Sequence, residues 1–165
     1  RGLIRNAVEN GHKVLLFSQF TTMLERLYRI LEEEKIASHM LTGATPKEKR
    51  IEMVESFAHD EVPVFCISLK AGGTGLNLTG ADIVIHYDPW WNVAVENQAT
   101  DRAHRIGQKN VVTVYKLIAK GTIEEKIIKL QQMKKELAEE ILSGDEIKTA
   151  SFQREELLEL LEERF

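Results

Sequence analysis

The chain has 165 residues, of which 43% are hydrophobic and 29% charged, a balance that fits one globular domain with a full core and excludes a disordered or low-complexity polypeptide. No apolar run is long enough to span a bilayer and nothing resembles a signal peptide, so an intracellular protein is expected. The net charge is −4, which argues against bulk attraction to nucleic acid. The acidity is local, however: residues 124–165 hold 12 acidic and 7 basic residues, against 14 and 15 in the rest. The body of the chain is near neutral and can carry a basic groove.

In chain order, Lys13–Ser18 is a short apolar run that reads as a buried strand. Thr21–Glu34 has helical spacing at Met23, Leu24, Leu27, Tyr28 and Leu31, with Thr21 or Thr22 as N-cap. Ser38–Leu41 is a second strand. A helix follows to about Phe57, with Thr45 as N-cap, Pro46 at the first helical position and Glu48 closing a capping box. Val62–Ser68 and Ile83–Tyr87 are further strands. Val93–Arg105 is helical, Val111–Ile118 a strand and Thr122–Leu142 a long helix. Continuous apolar strands alternating with amphipathic helices predict an α/β sandwich of three layers, a mostly parallel sheet with helices on both faces. Residues 143–151 read as a loop and 152–164 as a short acidic amphipathic helix. That helix is expected to pack back on the domain, with docking on a neighbouring domain as the alternative. The first residue is Arg1 rather than Met, as expected of a segment of a longer chain. Cys66, the lone cysteine, lies in an apolar run and reads as a buried thiol.

Three segments carry chemistry. The loop after the third strand holds Gly72, Gly73 and Gly75, which let backbone approach a ligand at the carboxyl end of a strand. Leu78 stands where a dinucleotide fingerprint needs its third glycine, and no phosphate-binding G-x-x-x-x-G-K-[ST] run occurs in the chain. A tight turn without a ligand is equally consistent. Next, Asp88-Pro-Trp-Trp-Asn follows the fourth strand. Its indoles suit either core anchors or a nucleic-acid backbone, and Ser68 and Lys70 can donate to phosphate. Third, Gln98, Arg102 and Arg105 fall at i, i+4 and i+7, one face of a helix. Guanidiniums match phosphate oxygens in charge and shape. A solvated face paired with Asp101 is the bland reading of the same spacing. The five histidines lack metal-ligand spacing, so no metal site is assigned.

Together VLLFSQF, SLKAGGTGLNLTGADIVIHYDPWWN and QATDRAHRIGQ, in this order, resemble the second RecA-like lobe of Swi/Snf-type DNA-dependent ATPases, among the superfamily-two helicases. The resemblance covers residues 1–142 and departs at Val93, where the family usually has proline. It implies a RecA-like fold with Thr122–Leu142 as a C-terminal helix bracing the two lobes and 143–165 as a separate tail. It implies that Arg105 and then Arg102 act as arginine fingers toward ATP, with Gln98 beside them. Gly73, Gly75 and Asn77 would face the nucleotide. Ser18, Gln19, Ser68, Lys70, Trp90 and Trp91 would face DNA. ATP and magnesium would be held mainly by an N-terminal lobe absent from this chain, so the chain alone would not hydrolyse ATP. Double-stranded DNA, that N-terminal lobe and a nucleoprotein substrate are the implied partners, with no membrane. The lack of long insertions or basic tails points to a prokaryotic cytoplasm or nucleoid, with the nucleus as the eukaryotic equivalent. A non-catalytic RecA-like module binding DNA or protein is the alternative, and a dinucleotide-dependent enzyme is a third.

Overall fold

In the computed structural model the described residues are 2–72, 76, 78–90, 93–101, 103 and 111–143. They fall in two units, Arg1–Leu117 and Ile118–Phe165. The first unit is built on five strands: β1 (Val14–Ser18), β2 (Ser38–Leu41), β3 (Val64–Ser68), β4 (Ile83–His86) and β5 (Thr113–Lys116). They form one sheet in the order β2-β3-β1-β4-β5, and every described pairing is parallel. Its helices are α1 (Gly2–Glu9), α2 (Thr21–Glu33), α3 (Lys47–His59), the single turn α4 (Leu69–Gly72) and α5 (Val93–Thr100).

The expected burial on both faces holds for the three inner strands, β1, β3 and β4. Alternate residues of β1 divide between two cores: Leu15 and Phe17 join Phe57, Phe65, Ile67 and Ala99, whereas Val14 and Leu16 join Ile4, Leu24, Leu31 and Cys66. The first core is covered by α3, α4 and α5, the second by α1 and α2. This division follows from handedness. The β2-to-β3 and β4-to-β5 connections run in one direction along the sheet and β1-to-β2 in the other, so right-handed crossovers place α3 and α5 opposite α2. Cys66 is buried as a free thiol, and burial pushes its pKa up to about 12. The fold is the α/β, RecA-like one that the strand pattern and family resemblance predict.

Both expected helix caps are different. Thr21 and Thr22 lie inside α2; the N-cap is Phe20, without a side-chain cap. The hydroxyl that accepts the Phe20 N–H, at 3.1 Å, belongs to Ser18. At α3 the N-cap is Pro46, not Thr45. The Thr45 hydroxyl is already engaged, accepting the Thr42 N–H at 3.1 Å in a turn that Arg50 closes by donating to the carbonyls of Thr45 and Gly43. The capping box is therefore absent, because a local turn takes its oxygen first. β5 is shorter than the expected 111–118 and exposed along its whole length, as befits an edge strand.

At the amino end of the sheet, Lys13 reaches the carboxyl end of α3. Its Nζ donates to the Phe57 and Asp60 carbonyls, each at 2.5 Å, and lies 4.6 Å from the Phe57 ring centroid. An ammonium here meets free carbonyls and the negative end of the helix.

In the second unit α6 spans Ile123–Ser143, within a residue of the expected limits. Thr122 caps it, its Oγ1 accepting the Glu124 N–H at 3.2 Å. Gly121 precedes the cap at φ +73°, a left-handed conformation that glycine adopts without steric cost. Among the described residues no helix is long and apolar enough to cross a membrane.

Candidate functional site

The carboxyl ends of β1, β3 and β4 lie side by side. Ser18 is in register with Ser68 and Phe17 with His86, so the loops that follow converge on one rim. This rim is the usual ligand position of an open parallel sheet.

Asp88 ties two of these loops together. Its Oδ2 accepts the Ser18 hydroxyl at 2.5 Å, and its Oδ1 accepts the Gln19 N–H at 2.9 Å. Gln19 completes the link by donating from Nε2 to the Pro89 carbonyl at 3.1 Å. Ser68 supports the third loop. Its Oγ accepts the Ala71 N–H at 3.3 Å and caps the α4 turn.

The expected contact residues therefore divide by depth. Ser18 and Ser68 are buried and turned to the loops they hold. Gln19 and Trp90 are half-buried, Lys70 exposed, and Trp90 packs against the first core. Gln98 is exposed on α5, while Glu96 and Ala99 of the same helix are buried. Trp91, Gly73, Gly75, Asn77, Arg102 and Arg105 lie outside the described residues.

A polar cluster beneath the rim escaped the sequence reading. Glu96 is fully buried. Its Oε1 accepts the Trp90 N–H at 2.6 Å, and its Oε2 pairs with Lys116 Nζ at 2.5 Å. His86, at the end of β4, shares a hydrogen bond between Nε2 and the Thr100 hydroxyl at 3.1 Å. It also stacks on Phe17 with centroids 5.6 Å apart. Desolvation lowers the His86 pKa to about 4; Glu96 opposes that shift and Lys116 adds to it. The sequence carries one signal of this cluster: Glu96 shares a helical phase with Ala99 and Ala103, both buried, so a carboxylate stands where the core face requires an apolar side chain. Asp88 and Lys116 give no such periodic signal.

The arrangement presents half-buried Gln19 and exposed Lys70 on a rim whose nearby carboxylates, Asp88 and Glu96, are buried and already accept hydrogen bonds. Such a rim favours an anion over a cation.

Comparison with known proteins agrees with this geometry. The model of the family described as helicase conserved C-terminal domain matches residues 2–107. An uncharacterized ATP-dependent helicase of Mycoplasma pneumoniae is 46% identical over 161 residues, which is 97% of this chain and 16% of that protein. The chromatin-remodeling ATPase INO80 of Homo sapiens is 41% identical over 160 residues, 96% of this chain and 10% of that protein. The chain thus spans a small part of these relatives' length. The crystal structure of the C-terminal part of the Fun30 ATPase domain superposes with a TM-score of 0.75 at 40% identity, covering 78% of this chain and 42% of that one. This chain belongs to the helicase C-terminal domain family and is the C-terminal, RecA-like lobe of a Swi/Snf-type helicase.

Proposed function

We infer that this lobe supplies one wall of an ATP-binding cleft and part of a DNA-tracking surface in a DNA translocase or remodeller. The observation that carries this reading is the convergence of the β1, β3 and β4 ends into a donor-bearing rim, held by the Ser18–Asp88 hydrogen bond. Arg102 and Arg105, which follow α5 in the chain, act on the γ-phosphate. Arg105 is the principal finger, with Arg102 next and Gln98 acting beside them. Charge that develops on the transferring phosphoryl group is stabilised by these guanidiniums.

Gly73, Gly75 and Asn77 approach the nucleotide by backbone and amide. Magnesium and most of the phosphate contacts fall to the N-terminal lobe, since the buried carboxylates of this rim are committed to the loops. Gln19, Lys70, Trp90 and Trp91 face the duplex. Ser18 and Ser68, being buried, act there by shaping the loops that carry Gln19 and Lys70. Residues 1–142 form the lobe, with 122–142 as its bracing helix, and 143–165 form a tail. The partners are the N-terminal lobe, double-stranded DNA and a nucleoprotein substrate, in a bacterial cytoplasm or nucleoid or in a eukaryotic nucleus.

The test is Arg105→Ala in the full-length protein. DNA-stimulated hydrolysis is expected to fall by about 10³-fold or more, the usual worth of an arginine finger, with DNA binding retained. The present chain alone is expected to turn over no ATP. Near wild-type turnover by Arg105→Ala, or DNA-stimulated hydrolysis by a clean preparation of this chain, would sink the assignment.

A further inference from the structure

Glu96 is completely buried, yet both of its carboxylate oxygens are engaged by groups from different elements. Oε1 takes the backbone N–H of Trp90, in the turn after β4. Oε2 takes the ammonium of Lys116, the last residue of β5. Glu96 itself stands in the first turn of α5. One side chain therefore joins the tryptophan turn, the start of α5 and the edge of the sheet.

A carboxylate removed from water costs free energy that an apolar side chain of the same volume would not. What it provides here is directional. The bond to Trp90 Nα–H fixes the axial position of α5 relative to the turn, which apolar packing tolerates to slip. The far end of α5 is also tied to the sheet, through Thr100 and His86 Nε2. Gln98 lies between these two ties on the exposed side of the helix.

We propose that Glu96 is a positioning residue that couples movement of the Trp90 turn to the placement of α5, with Lys116 holding its carboxylate in line. The proposal rests on the reading of the turn as DNA-facing and of α5 as leading to the arginine fingers.

The experiment measures ATP hydrolysis by the full-length protein with saturating duplex DNA and without it. In Glu96→Gln the side-chain size and the acceptor for Trp90 are kept, but an amide donor faces the Lys116 ammonium. The ratio of stimulated to basal kcat is expected to fall about tenfold, the size of a typical coupling between contacting groups, while KM for ATP changes by less than about twofold. Lys116→Gln is expected to lower the same ratio by less. The double variant is expected to be no worse than Glu96→Gln alone, because both side chains act through one link. A purely structural role would scale both rates down together and leave the ratio intact, and that result overturns the proposal. If Glu96→Gln does not fold, Lys116→Gln decides: a wild-type ratio in that variant overturns the proposal equally. Arg105→Ala in the same assay keeps the two readings apart. Loss of hydrolysis there with an unchanged ratio in Glu96→Gln removes only the coupling role, whereas full hydrolysis in Arg105→Ala removes the finger assignment.

Discussion

Ser18 and Asp88 are 70 positions apart in the chain, and the hydroxyl of one donates to the carboxylate of the other at 2.5 Å. With the Gln19 N–H on the second carboxylate oxygen, the end of β1 and the turn after β4 behave as one hydrogen-bonded unit. Asp88→Ala removes the acceptor from two donors in a buried setting. A loss of about 2–4 kcal/mol in unfolding free energy is expected, from the cost of stranded buried donors. Asp88→Asn keeps one acceptor oxygen and should cost less. Urea unfolding of the two variants measures both, and equal stability of wild type and Asp88→Ala would show that the link carries little.

His86 makes the fold sensitive to mild acid. Its folded pKa, about 4, lies below the ordinary value of 6.5, chiefly through desolvation. The unfolded chain therefore binds the proton more readily than the folded one. The histidine's contribution is complete above pH 6.5 and is lost progressively as the pH falls toward 4. Between pH 7.5 and 5 this amounts to about 2 kcal/mol if the shift is fully expressed. His86→Asn should flatten that part of the stability curve. Urea midpoints at the two pH values, for wild type and variant, read the difference directly; the same slope in both would assign the acid sensitivity elsewhere.

Lys70 is exposed in the single turn α4, where a cation can meet a phosphate without being desolvated. Lys70→Ala in the full-length protein is expected to weaken DNA binding about equally across sequences. The slope of log affinity against log salt should fall by about 1, the signature of one lost phosphate contact. Fluorescence anisotropy across a salt series checks it. An unchanged slope would place Lys70 away from the backbone.

β1, β3 and β4 were legible because each is a largely apolar run buried on both faces of the sheet, whereas β2 and β5 are more polar and less buried. Their order in the sheet follows from crossover rules only once the pairings are known. The caps were misread for a reason of competition. Thr45 and Ser18 each offer one oxygen, and sequence spacing does not say which of several nearby N–H groups takes it. Asp88, Glu96 and Lys116 were missed as a set because each is a single polar residue whose partner lies far along the chain or in another element. Glu96 alone left a trace, as a charge on the buried phase of its helix. Gly73, Gly75, Arg102 and Arg105 lie outside the described residues, and their roles rest on the sequence reading.

The position of β1 bears on how this lobe is made. Its partners on either side are β3 and β4, whose residues follow those of β1 by at least 50 and 69 positions respectively. Until β3 has emerged neither edge of Val14–Phe17 is paired, and until β4 has emerged one edge stays open, a template for association with other chains. Pairing across such separations is slow compared with helix formation. A nascent or truncated chain ending before about residue 87 therefore holds the strand at the centre of the finished sheet as its most aggregation-prone segment.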